Sequence, residues 1–157
     1  AAAAADLALP AADLVITALN DASAPVGPAP RTAAAAGSHW SVLVFHRSAP
    51  DGVHFKHADS VPGRNAVVAA STAAAMAPLL GWRGGVGVGE MRGVPVQANG
   101  YDCGVHCCVA MRAFARSWAR EEAVAGKAVA EALGEDVGHA AAEMRGEFRA
   151  LVRRCAL

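Results

Sequence analysis

The chain has 157 residues, enough for one domain with a sizeable core and too few for two of ordinary size. Its 14 basic and 14 acidic residues cancel, so charge gives no reason to expect binding to nucleic acid or to an anionic membrane surface. Four cysteines, two of them adjacent, do not resemble a disulfide framework and fit an intracellular compartment. No basic region precedes the N-terminal alanine run, and residues 66–80 are too mildly apolar to span a bilayer.

The first part of the chain predicts strands separated by a long loop. Residues 13–19 (DLVITAL) contain a β-branched run typical of a buried strand, and residues 20–38 have the Pro, Ala, Asp and Gly content of a loop. Residues 40–46 (WSVLVFH) have the strongest strand pattern in the chain. Residues 53–57 follow across the turn SAPDG, so the two segments are predicted to pair as an antiparallel hairpin.

A helix and a short strand are expected next. Asn65 is placed to cap a helix over residues 66–80, and Gly81 stands where a helix C-terminal glycine belongs. Residues 86–91 predict a strand diluted by glycine. The glycines around it never complete GxGxxG, and the chain has no P-loop, so we expect no nucleotide cofactor.

Helices are predicted for the rest of the chain. One runs from about Cys103 to Trp118 and has apolar residues on most sides, which favours a central position. Two more, broken near Gly134, follow it. In the last, Met144 belongs to an apolar stripe, and Arg145 is expected on the solvated face. The order of strands, helix, strand and helices indicates an α+β fold.

Cys103 is the first candidate for chemistry, because it lies between Asp102 and Gly104 at the start of a predicted helix. A thiolate there faces free backbone N–H groups and the positive end of the helix dipole, a setting that favours reactive cysteines. Such a nucleophile needs an imidazole, a group that orients the imidazole, and donors for the oxyanion. The alternative is a buried, inert cysteine; Asp102 is expected to cap the helix in either case.

The chain offers each of those groups. His39 opens the strongest strand and Asp59 closes the next one, so antiparallel pairing brings them to the same end of the hairpin. Gln97, in an extended segment before Cys103, could place its side-chain amide as an oxyanion donor. Taken singly, His39 could be a strand-edge histidine and Asp59 a turn residue. Their joint order favours a catalytic set.

A zinc site is an alternative that the spacing disfavours. It would draw on Cys103, His106, Cys107, Cys108 and Cys155, but the pattern lacks a second C-x₂-C element. We therefore expect no metal, and we expect Cys107 and Cys108 to be core residues. The remaining histidines are expected to be surface or strand residues without a specific role: His46, His54, His57, His106 and His139.

The segments HWSVLVF, HADS and QANGYDCG together resemble the His-Trp, Asp-Ser and Gln…Asp-Cys-Gly motifs of the ubiquitin-like-protein-specific cysteine proteases. That family includes the SUMO (sentrin) proteases and the deneddylases. The resemblance runs from ITALND to RGEFRALV and implies a papain-like α+β fold with rearranged order, in which His and Asp precede Cys. The site residues that it implies are Cys103 as nucleophile, His39 as general base and acid, Asp59 as imidazole orienter, and Gln97 as oxyanion donor.

By the same resemblance, Trp40 forms one wall of a narrow tunnel over the modifier's C-terminal Gly-Gly, and the bond after that dipeptide is hydrolysed. Only residues without a Cβ pass through such a tunnel. LND, AAAAGSHWSVLV and RGEFRALV are more similar to the deneddylase branch. The implied partner is therefore the neddylation modifier ahead of SUMO, bound by a monomer in the cytoplasm or nucleus, without a cofactor.

The resemblance makes residues 1–157 a single catalytic domain that lacks an N-terminal segment, which in the family supplies the other wall of the tunnel. His106 departs from the family, where an aromatic residue is usual. Three alternatives stay open. They are a SUMO-specific protease, an acyltransferase with a similar His–acid–Cys set, and a catalytically silent modifier-binding module.

Overall fold

The computed structural model describes residues 9–23, 38–120, 142–147 and 150 of the chain. Two short 3₁₀ turns, Leu9–Ala11 and Asp21–Ser23, flank the first strand, and residues 142–147 are helical. The regular elements, in chain order, are β1 (Leu14–Asn20), β2 (Trp40–His46), β3 (Phe55–Ala58), α1 (Ala66–Leu79), β4 (Val88–Glu90) and α2 (Cys103–Ala119). This arrangement confirms the α+β prediction.

The strands form one mixed sheet in the order β1-β2-β3-β4. β1 pairs with β2 and β2 with β3 in antiparallel fashion, while β3 and β4 are parallel. The predicted hairpin is confirmed, with Val42 opposite Ala58 in its register. β2 has the bounds predicted from the sequence, whereas β3 begins two residues later than expected, at Phe55.

The core lies on both faces of the sheet, which explains the almost uninterrupted apolar run of β2. Successive side chains of a strand point to opposite faces. Leu43 and Phe45 pack with Phe55 and with residues of α1, while Val42 and Val44 pack with residues of α2. The sheet is therefore covered by α1 on one face and by α2 on the other.

Three local predictions need correction. β1 was expected to be buried, but only Leu19 is, since β1 lies at the edge of the sheet. Asn65 and Asp102 occupy the N-cap positions of α1 and α2, yet neither side chain makes a capping hydrogen bond. Both side chains bond to other parts of the fold instead. By contrast, Gly81 ends α1 with a φ of 61°, as a C-terminal glycine should.

The predicted helix break near Gly134, together with His139 and Cys155, lies outside the described residues. In the part of the chain that is described, none of the helices has the length and apolar character needed to cross a membrane.

Candidate active site

The hairpin brings His39 and Asp59 together at one end of the sheet. His39 Nε2 lies 2.6 Å from Asp59 Oδ1, and the two side chains are 2% and 0% exposed. The carboxylate is held from two further directions. The backbone N–H of Val61 donates to Oδ1 over 2.9 Å, and the backbone N–H of Asn65 donates to Oδ2 over 3.1 Å. Asp59 is thus fixed by its own turn and by the start of α1, with one oxygen directed at the imidazole.

The backbone of His39 is anchored by the last residue of β1 and by the residue that follows it. Asp21 Oδ1 accepts hydrogen bonds from the backbone N–H groups of Ser38, over 2.6 Å, and of His39, over 3.1 Å. Burial alone would raise the pKa of Asp21, but these hydrogen bonds outweigh it and lower the pKa below its usual value. Asn20 Nδ2 donates to the carbonyl oxygen of His39 over 3.2 Å. The segment that carries the imidazole is therefore held by side chains outside β2.

Cys103 is the first residue of α2 and is 5% exposed. Its Sγ lies 3.8 Å from the carbonyl oxygen of Ser38, the residue before His39. The start of α2 therefore lies against the start of β2, and two sequence positions 65 residues apart come into contact. This contact brings the thiol of Cys103 to the same end of the sheet as the His39–Asp59 pair.

Trp40 covers the first turn of α2. Its Cδ1 lies 3.8 Å from the point where a Cβ on Gly104 would be, so the indole and the helix backbone approach closely. The side chain remains 44% exposed although it is large and apolar. An exposed indole beside Cys103 is available to a substrate.

Gln97 is held beside the Asp59 turn, in the segment between β4 and α2. Its backbone N–H donates to the carbonyl of Ser60 over 2.9 Å, and its Oε1 accepts from the Ser60 hydroxyl over 2.7 Å. Its Nε2 donates to the carbonyl of Asn99 over 2.5 Å. An amide nitrogen has two hydrogens, so this bond leaves one for another acceptor. The described contacts of Gln97 are to Ser60 and Asn99, and do not include Cys103.

Two histidines that the sequence analysis gave no role are buried, at 0% exposure for His57 and 3% for His106. His57 makes hydrogen bonds with Ser41 and Glu90. His106 lies on α2 three residues after Cys103, so its predicted surface or strand position was wrong. Helical spacing from Cys103 was the signal that could have shown it on the same buried face.

His106 is unusual because neither of its ring nitrogens has a hydrogen-bond partner among the described residues. Burial lowers the pKa of His106, which keeps the ring neutral. Together with Trp40 and Ser60, it lines a cavity of about 10 Å³. That volume is about the space needed for one water molecule.

The other cysteines of α2 behave as core residues. Cys107 is buried and its Sγ donates to the carbonyl of Ser41 over 3.4 Å. Burial raises the pKa of the Cys107 thiol to about 12, and it also raises the pKa of half-buried Cys108. Within the described ranges, no three His, Cys, Asp or Glu side chains are grouped so that they could hold a metal ion.

No family model matches the chain, but curated proteases are similar to it in sequence. Sentrin-specific protease 8 from Mus musculus is 33% identical over 116 residues, which are 74% of this chain and 48% of that protein. The Homo sapiens protein of the same name is 32% identical over 116 residues, 74% of this chain and 50% of that protein. NEDD8-specific protease 1 from Arabidopsis thaliana is 37% identical over 93 residues, 59% of this chain and 37% of that protein.

The chain thus spans about half the length of the Sentrin-specific proteases that it matches, 48% and 50%. Among solved structures, that of the Xanthomonas campestris effector protein XopD bound to ubiquitin aligns with 51% of this chain and 39% of that chain. The sequence identity in this alignment is 30% and the TM-score is 0.39. In sequence, this chain is thus similar to the ubiquitin-like-protein-specific cysteine proteases, and His39, Asp59 and Cys103 follow one another in the order that the resemblance implies.

Proposed function

We propose that this chain carries the catalytic centre of a cysteine protease that hydrolyses the bond after the C-terminal Gly-Gly of a ubiquitin-like modifier. The observation that carries the proposal is the buried contact of 2.6 Å between His39 and Asp59, beside the thiol of Cys103. A cysteine, an imidazole and a carboxylate at one end of the sheet are the components of a thiol protease. The names of the matched relatives support the same activity.

The proposed reaction begins when His39 takes the thiol proton of Cys103 and the thiolate attacks the carbonyl carbon of the modifier's last glycine. Since Asp59 occupies Nε2 of His39, Nδ1 is the nitrogen that exchanges this proton. The oxyanion accepts hydrogen bonds from the backbone N–H of Cys103 and from the free amide hydrogen of Gln97.

The carbon–nitrogen bond then breaks and leaves a thioester on Cys103. His39 gives its proton to the leaving amine, which is a substrate lysine in a conjugate or the next residue in a precursor. Water attacks the thioester, and His39 accepts a proton from it. The modifier leaves with a free carboxylate, and the thiol of Cys103 is restored.

Trp40 is the proposed substrate-binding residue. Its exposed indole lies next to the first turn of α2, where the last residues of the modifier must reach Cys103. Glycines have no Cβ, so they can pass close to an indole and still present a carbonyl to the thiolate. This steric limit is the physical basis for a preference for Gly-Gly.

The neddylation modifier is the proposed substrate, ahead of SUMO. One matched relative is named NEDD8-specific protease 1, and the LND, AAAAGSHWSVLV and RGEFRALV segments resemble the deneddylase branch. Residues 1–157 are proposed to act as one catalytic domain and as a monomer, in the cytoplasm or the nucleus.

The test offers the purified chain three fluorogenic C-terminal conjugates, made with the neddylation modifier, SUMO and ubiquitin. A Cys103→Ala variant is the matched control, because it removes one sulfur atom from a chain that is otherwise unchanged. We expect release from the neddylation conjugate that is abolished in the control. Release from SUMO alone would support a SUMO protease instead. Modifier binding without turnover, in a folded sample, would contradict the protease proposal and support a modifier-binding module.

A further inference from the structure

We propose that His57 is a positioning residue, which holds Asp59, and through it His39, in the geometry that hydrolysis requires. This inference rests on the proposed function of the same site. His57 is 0% exposed and lies on β3, two residues before Asp59, which follows the end of that strand, and the two side chains approach to 3.9 Å. Burying an imidazole costs free energy unless its polar atoms have partners. Here each of its nitrogens has one.

The partners of His57 define a chain of hydrogen bonds. Nδ1 lies 2.8 Å from Oε1 of Glu90, the residue in register with His57 on β4. Nε2 lies 2.9 Å from Oγ of Ser41. Asn65 Nδ2 donates to the same Oγ over 3.0 Å.

The chemistry of these partners assigns the direction of the bonds. An ionised carboxylate only accepts, so the proton of His57 is on Nδ1 and is donated to Glu90. Ser41 Oγ accepts from the amide of Asn65 and forms a second hydrogen bond with Nε2 of His57, so it joins the two side chains.

The same residues enclose Asp59. Nε2 of His57 is 3.9 Å from Asp59 Oδ2, too far for a hydrogen bond but close enough for packing contact. Asn65 connects the two groups, because its side chain bonds Ser41 and its backbone N–H bonds Asp59 Oδ2. His57 therefore forms a wall against Asp59 and keeps water from that side of the carboxylate. A low local dielectric strengthens the remaining interaction of Asp59 with His39.

The surroundings of His57 argue against a role in packing alone. On the same face of the sheet, the next positions away from the site are Leu43, Phe45 and Phe55, all apolar and buried. Among the buried strand residues of this face that the structure describes, Ser41 and His57 are polar, and both lie next to the His39–Asp59 pair. A polar side chain in a core is costly, and a leucine would fill the space. The polar group is placed where it can fix a carboxylate.

The test compares four variants of the full chain on the conjugate that the wild type cleaves. His57→Gln changes the proposed positioning residue. The matched control is His54→Gln, at the residue immediately before β3. Glu90→Ala removes the acceptor of His57 Nδ1, while Glu90→Gln keeps an oxygen there. We expect His57→Gln to lower kcat about tenfold with KM changed less than about twofold, because positioning acts on the transition state. We expect Glu90→Ala to lower kcat about threefold and Glu90→Gln to restore it.

A second readout does not depend on cleavage. In chains labelled with ¹⁵N-histidine, the ring proton shared by His39 and Asp59 should give a slowly exchanging NMR signal. We expect faster exchange in His57→Gln and no change in His54→Gln. If no conjugate is cleaved, the proposed function fails, while this signal still decides the role of His57.

The inference would be overturned if His57→Gln kept both the kcat and the His39 signal of the wild type. If that variant did not fold, the Glu90 variants would decide, since the Glu90 side chain is 52% exposed and tolerates substitution. Equal kcat values for Glu90→Ala and Glu90→Gln would then overturn it.

Discussion

The guanidinium of Arg145 pairs with the carboxylate of Asp102, the residue immediately before Cys103. The side chain of Asp102 is 8% exposed and that of Arg145 is 40% exposed. The pair therefore connects the helical residues 142–147 to the start of α2. The expectation that Arg145 only belongs to a solvated face was wrong, because its guanidinium pairs with the largely buried carboxylate of Asp102.

Replacing Arg145 by alanine should destabilise the fold. Asp102 would lose its cationic partner while staying buried, and we expect the free energy of unfolding to fall by about 1 kcal/mol. Urea unfolding measures this change. Arg112→Ala is the control, since Arg112 pairs with Glu147 at 34% and 53% exposure, and an exposed pair contributes about 0–0.5 kcal/mol. Equal losses in both variants would contradict the structural importance of the Arg145–Asp102 pair.

Asp59→Asn should abolish most activity while leaving the shape of the site intact. Asp59 accepts hydrogen bonds from His39, Val61 and Asn65, and an amide has only one oxygen to accept them. The imidazole would lose its orientation, and we expect kcat to fall about a thousandfold. Single-turnover cleavage of the fluorogenic conjugate measures the rate. Asp51→Asn, at an exposed turn, is the control and should keep full activity. A variant at Asp59 with more than about a tenth of wild-type kcat would exclude it as the orienting residue.

Cys107 should resist alkylation at neutral pH. Its pKa of about 12 leaves almost no thiolate, and the thiolate is the form that reacts. We expect iodoacetamide at neutral pH to modify Cys103 while Cys107 stays unmodified until the chain is unfolded. Peptide mapping by mass spectrometry distinguishes the sites, and the urea-unfolded chain is the positive control. Equal labelling of Cys103 and Cys107 in the folded chain would contradict the burial of Cys107.

The stability of the fold should decrease on acidification, in part through His106. Because burial lowers its pKa below 6.5, the unfolded chain binds a proton more readily than the folded chain. The contribution of the neutral His106 ring to the free energy of unfolding is therefore present above about pH 6.5 and is lost as the pH falls below it. We expect His106→Phe to reduce the loss between about pH 7.5 and pH 5.5, measured by urea unfolding at both values. Burial also lowers the pKa of His46. This group changes the pH dependence of stability in the same direction, and it is present in both the wild type and His106→Phe.

An unchanged dependence of stability on pH in His106→Phe would contradict this assignment. At neutral pH the variant should be at least as stable as the wild type. Neither ring nitrogen of His106 has a hydrogen bond to lose within the described part of the chain, and phenylalanine has a similar shape.

The sequence predicted the elements whose pattern is local. The bounds of β2 and the start of α2 at Cys103 agree with the prediction, because an apolar run and a Gly-marked turn are visible without tertiary context. The predicted antiparallel pairing of β2 with β3 then brought His39 and Asp59 to the same end of the sheet. His57 and His106 could not be assigned in this way, since their burial depends on β4 and on the packing of α2. Asn65 and Asp102 stand at the predicted N-cap positions, but their side chains bond other groups in place of the helix N-termini, which the sequence could not show.

The turn between β2 and β3 lies at the opposite end of the hairpin from His39 and Asp59. Its residues Asp51 and Gly52 are exposed, and Gly52 has a φ of 72° with no atom within 4 Å of where a Cβ would stand. An affinity tag inserted there would meet no neighbour. A cut at this turn would place His39 on one polypeptide and Asp59 with Cys103 on another, held together by strand pairing. The hairpin therefore offers a split-enzyme reporter, in which activity returns only when the two fragments associate.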